Sequence, residues 1–179
     1  MSIREISTQA HFAQISYEQI YGDTDQVFMA VHAFLVHCAN VSKLLSWANK
    51  RVRPTTIGDI LCVTKESEIH NRRFRNSLEH YEKELQKWIY QKGPTVNIGT
   101  YNIGSKSSIQ VQNMVFVKHY DPATGIFTFV DEDYELKKLF EEVARIKTLA
   151  DNWLNKDYWG KMSRWNSING NDSQVSKNI

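Results

Sequence analysis

Residues 95–130 read "TVNIGTYNIGSKSSIQVQNMVFVKHYDPATGIFTFV", and the fold turns on how this stretch is taken. Its first half is rich in Gly, Ser, Thr and Asn and has no helical period, so it reads as a loop or irregular strand. Its second half is different. "MVFVKHY" and "GIFTFV" are β-prone runs flanking "DPAT", the signature of a hairpin turn closing two strands. The echo "NIGTYNIG" carries glycines but lacks the strand-loop-helix setting of a phosphate-binding loop.

Helical periods dominate on both sides. Ser7 or Thr8 can cap a first helix running to about Tyr21, with Gly22 as its stop. Asp23, Thr24 and Asp25 offer start signals for a long second helix to about Asn49. Its apolar positions Val27, Val31, Phe34, Cys38, Val41 and Leu45 follow the spacing of a buried face. Pro54 and Gly58 break the pattern. Thr64 then caps an expected third helix, about Glu66 to Gln91, which Gly93 and Pro94 terminate. From Asp131 the period returns, with Leu136, Leu139, Phe140, Val143, Ile146, Ala150 and Trp153 in one stripe. The expected architecture is mainly α: an antiparallel four-helix bundle with a β-hairpin insertion, about residues 94–131, between helices 3 and 4. Residues 1–165 form one domain, and the polar tail 166–179 is expected to be disordered.

Composition narrows the function. The chain has 179 residues, 41% hydrophobic and 23% charged, with a formal net charge of +2. That is an ordinary globular balance, and a nucleic-acid site must be a local patch rather than a global field. Two cysteines give no disulfide framework. No charged leader precedes an apolar run, and "VFMAVHAFLVHCA" (27–39) is too short for a membrane span, so the expected location is the cytoplasm. His32 and His37 stand five residues apart around the second helix, beside Cys38, and read as core rather than as metal ligands. Neither a metal nor a cofactor is expected. His119, in a loosely alternating strand, reads as a surface residue. Near the C-terminus Trp153, Tyr158, Trp159 and Trp165 interleave with Lys156, Lys161 and Arg164. Such a pattern stacks on unpaired bases or, the plainer reading, completes a core or a dimer interface.

The chemistry concentrates in "IHNRRFRNSLEHYEKELQKW" (69–88). On a helical wheel Phe74, Leu78, Tyr81, Leu85 and Trp88 form one seam. His80 falls about 160° from Leu78, on the outside, with Asn76 and Arg72 in the same column, Arg73 beside it and Arg75 at its flank. A histidine facing away from its own core is thus presented outward with a basic, hydrogen-bonding surround; a solvated helix face is the plain alternative.

"RNSLEHYEKEL" (75–85) resembles the Arg-Asn-x-x-x-His signature of the HEPN superfamily, whose members are helical bundles. The match falls on Arg75, Asn76 and His80; Arg73-x6-His80 fits the broader Arg-x4–6-His pattern too. The resemblance implies a homodimer in which two such helices face each other across a cleft and form a metal-independent endoribonuclease site. It implies His80 as the proton-transfer group, Arg75 as stabiliser of the phosphorane-like transition state and Asn76 as orienting residue, with Arg72 and Arg73 contacting the RNA. It further implies a toxin–antitoxin or phage-defence role, with an antitoxin or other protein as partner. Relatives controlled by tyrosine modification carry Tyr two residues after His. Here that position is Glu82, and Tyr81 lies on the buried seam. A non-catalytic module binding nucleotide, RNA or a protein partner through the same face is the rival implication.

Overall fold

A computed structural model describes residues 2–46, 56–71, 80–109 and 111–169, with side chains from 3 to 156. Helix α1 (Ser2–Glu18) turns Ile3, Ile6, Ala10 and Ala13 inward at helical spacing. Helix α2 (Thr24–Leu45) starts at a capping box: the Asp23 carboxylate accepts from the Gln26 N–H at 3.0 Å, and the Gln26 side chain returns to the Asp23 N–H. Its expected face is buried throughout, Phe34, Val41 and Leu45 completely. By length and composition α2 could cross a membrane, but 56% of its apolar window is buried against the chain's own core.

The last helix, α5 (Leu136–Asn169), completes the helical layer. α1 packs against both α2 and α5. Tyr17 of α1 stacks on Phe140 of α5 at 4.3 Å and meets Phe34 of α2 at 5.3 Å. Leu136, Val143, Ile146 and Ala150 are buried from the expected stripe, whereas Trp153, at 39% exposure, has rotated out of it.

The fold is mixed α/β, which corrects the expected four-helix bundle with a hairpin insertion. A four-stranded mixed sheet, in the order β1-β2-β3-β4, stands in place of the hairpin. Its strands are β1 (Asn97–Ile103), β2 (Met114–Asp121), β3 (Ile126–Phe129) and β4 (Glu132–Glu135). The β2–β3 hairpin does form, with the Gly125 N–H reaching the Asp121 carbonyl at 2.8 Å and Gly125 at φ +69°. The stretch read as a loop or irregular strand contains β1, which pairs parallel with β2. Gly99 permits that pairing: a Cβ there would lie 2.5 Å from the Phe116 ring. β4 takes residues expected to open the last helix, so α5 begins only at Leu136.

The expected helix from Glu66 to Gln91 is also corrected. Glu68–His70 is a single 3₁₀ turn followed by non-helical Asn71, His80 lies outside the helix, and α4 runs over Tyr81–Lys92. Long-range bonds explain the break. The Ser67 hydroxyl donates to the Glu142 carboxylate of α5, and His70 Nδ1 lies 3.3 Å from Ser42 Oγ of α2. These bonds brace the segment between two helices and hold it out of the α-helical path. The short α3 (Ile57–Ile60), capped by Thr56, precedes the brace in the chain.

Candidate functional site

Strand alternation sends Lys118 and His119 to opposite faces of the sheet, and each stands at the centre of a cross-strand row. On one face the row is Tyr101, Lys118, Phe129 and Glu132. Phe28 of α2 stacks on Tyr101 at 4.8 Å, and Tyr81, the first residue of α4, stacks on Phe129 at 5.1 Å. These rings enclose the lysine stem. The Lys118 ammonium ends 5.2 Å from the Tyr81 ring centre and 5.3 Å from that of Tyr101. No acidic side chain among the described residues pairs with it. Burial draws its pKa below the ordinary lysine value. His32, one turn beyond Phe28, is lowered by burial and then by the Lys118 charge. Tyr81 is raised by burial and then by Tyr101.

His80 immediately precedes Tyr81 and is exposed. Its backbone (φ −122°, ψ 29°) lies outside the helix, while its carbonyl accepts the Glu84 N–H at 3.1 Å. Its imidazole bonds to no described residue. His80 thus stands at the mouth of α4, just outside the helix. Arg72, Arg73, Arg75 and Asn76 lie outside the described residues. Of the seam, Tyr81 and Leu85 pack against the core and Trp88 is buried.

The opposite face carries a polar row: Asn102, His119, Thr128 and Asp133. His119 is only 3% exposed, which corrects its reading as a surface residue. Asn102 Nδ2 lies 2.8 Å from His119 Nδ1, Thr128 donates to Asp133 at 2.5 Å, and Lys106 reaches the same carboxylate at 3.3 Å. His119 Nε2 has no partner among the described residues. Burial is the first cause of its lowered pKa, with Lys106 acting in the same direction.

Stability must then depend on pH. His119, His37 and His70 all have folded pKa values lowered first by burial. The unfolded chain takes up their protons more readily, so their contribution is complete above the free-histidine value near 6.5 and is lost as pH falls through the folded values. Asp131 and Glu142 are lowered too, but their losses come only below the ordinary carboxylate range. Urea unfolding at pH 7.5 and 5.5 should show lower stability at 5.5, with a slope of at most about 1.4 kcal/mol per pH unit for each such histidine. His119→Gln should flatten that dependence in part; an unaltered slope would remove His119 from the account.

The remaining candidates are structural. Ser42, His70 and Glu142 fall in the order of a charge relay, but Ser42 is buried and the Glu142 carboxylate is held by a two-pronged Arg145 pair at 2.7 Å and by Ser67. His37 bonds Gln9 on α1 at 2.8 Å while His32 faces Lys118, so the two histidines serve different surfaces. Cys38 is buried, with its thiol pKa pushed up. Residue spacing alone missed Lys118 and Tyr101; the one available signal was the alternation in "MVFVKHY". No family model, curated protein or solved structure matches the chain.

Proposed function

We propose that the protein is a metal-independent endoribonuclease in which His80 transfers the proton, at a cleft shared by two copies of the chain. The observation that carries this reading is the position of His80: exposed, bonded to no described residue, and next in sequence to the tyrosine that flanks Lys118, which pairs with no acidic side chain among the described residues. A polyanion is drawn to a cation that no described carboxylate neutralises. The Arg75-Asn76-x-x-x-His80 sequence supplies the chemistry. The imidazole takes the proton of a ribose 2′-hydroxyl, the oxygen attacks the adjacent phosphorus, and the bond to the 5′-oxygen breaks as that oxygen gains a proton. The products are a 2′,3′-cyclic phosphate and a 5′-hydroxyl. Arg75, or Arg73 in the longer spacing, stabilises the charge gained by the phosphate, Asn76 orients, and Arg72 holds the strand.

This reading places the protein in the cytoplasm, in a toxin or defence role with an antitoxin or similar protein as partner. The test is incubation of pure protein with a mixed RNA pool in EDTA, followed by analysis of the product ends. Cyclic phosphate ends are expected. Intact RNA in the presence of a folded dimer would sink the nuclease. One observation favours the second reading, a non-catalytic binding module: the Tyr101–Lys118–Phe129 row is complete without His80. Retained RNA binding without cutting would select it.

A further inference from the structure

We infer that Lys118, with Tyr81 and Tyr101, forms a subsite for one backbone phosphate of single-stranded RNA beside His80. The inference rests on reading this face as an RNA site, and it adds which residue outside the Arg-His segment grips the strand. Three observations carry it. The ammonium lies between two tyrosine rings, 5.2 and 5.3 Å from their centres, so its position is set before any ligand arrives. Ring faces attract a cation but do not neutralise it, and no carboxylate among the described residues does so. Tyr81 is covalently next to His80, so the subsite lies at the start of the helix that His80 precedes.

Five of the other described cations are already engaged. Lys92, Lys106, Lys138, Lys147 and Arg145 are each committed to a carboxylate. The aromatic surround also matters. Tyr101 is spent against Phe28 on one side and Lys118 on the other, so it fixes the cation rather than stacking on a base. The predicted contact is therefore with the backbone and is indifferent to base identity.

The experiment uses the full chain carrying His80→Ala, so that RNA stays intact, and fluorescein-labelled oligouridylate as probe. Binding is followed by anisotropy across a salt series. Adding Lys118→Met should weaken binding about tenfold and lower the slope of log affinity against log salt by about 0.7, the value for one single-strand phosphate. Lys118→Arg should restore the slope. Affinity and slope unchanged by Lys118→Met overturn the subsite, even if the wild type cuts RNA. No binding of oligouridylate by the parent overturns it as well. Absence of cutting by the wild type, with Lys118-dependent binding intact, removes the nuclease reading and leaves the subsite standing. Where Lys118→Met melts well below the parent, Lys118→Gln, which keeps a polar stem, is read by the same criteria.

Discussion

Replacing His80 with alanine should lower the single-turnover rate of RNA cleavage by about 10²- to 10⁴-fold, the range for losing a positioned proton-transfer group. The melting temperature should not move resolvably. The second half of that expectation gives the first its meaning. His80 is exposed and its ring bonds to no described residue, so truncating it orphans no buried partner among the described residues. Its backbone contribution, the carbonyl that accepts from Glu84, survives the substitution. A loss of rate without a loss of stability can then come only from chemistry or substrate contact. The two are separated by affinity: the proton-transfer role predicts nearly unchanged RNA binding and a collapsed rate constant. Cleavage persisting at the wild-type rate would end the nuclease reading. A rate that falls in step with affinity would recast His80 as a contact residue. The measurement belongs in EDTA, so that no contaminating metal nuclease sets the floor.

Local signals read the helical layer well. The capping box at Asp23 and the six apolar positions of α2 are decided within a few residues, and no tertiary contact had to be guessed. The Asp121–Gly125 turn is legible for the same reason. The sheet is another matter. β1 is mostly exposed along its length and lacks a clean alternation, because its place depends on a parallel neighbour seventeen residues on, Asn97 opposite Met114. β4 reads "EDYE", and only Tyr134 betrays a buried side; the strong helical stripe that follows absorbs it in any windowed reading. The broken third helix was hidden by distance as well. Ser67 bonds Glu142, and His70 meets Ser42, across separations of 75 and 28 residues. The candidate site divides along the same line. His80 is proposed from spacing on one expected helix, whereas Lys118, Tyr81 and Tyr101 come from three elements and meet only in the fold.

That meeting depends on how α4 is held against the sheet, and Trp88 is the residue that holds it. Trp88→Ala should cost about 3–5 kcal/mol in urea unfolding, the range for emptying a buried aromatic site. The side chain is 4% exposed, and its Nε1 donates to Asp131 Oδ2 at 2.9 Å. Lys92, one turn on in α4, reaches the same oxygen at 2.5 Å and lies 5.5 Å from the Trp88 ring centre. Burial alone would raise the Asp131 carboxyl, but the bonds from Lys92 and Trp88 bring it below its ordinary value. The acceptor is itself unusual. Val130 (φ +43°) and Asp131 (φ +68°) form a two-residue β3–β4 turn in the left-handed region, where a β-branched residue is strained. The clasp therefore ties a strained turn to a helix whose first residue stacks on Phe129 and flanks Lys118. Trp88→Phe keeps most of the burial and leaves Asp131 paired with Lys92, so its cost should be smaller, about 1–3 kcal/mol for the lost bond. Amide exchange gives the second readout. In Trp88→Ala the α4 amides should lose protection before those of α2, because α4 has no other fully buried anchor among its described side chains. A cost under about 1 kcal/mol, with α4 protection retained, would mean that Tyr81 and Leu85 dock the helix unaided, and the Lys118 site would then owe nothing to the clasp.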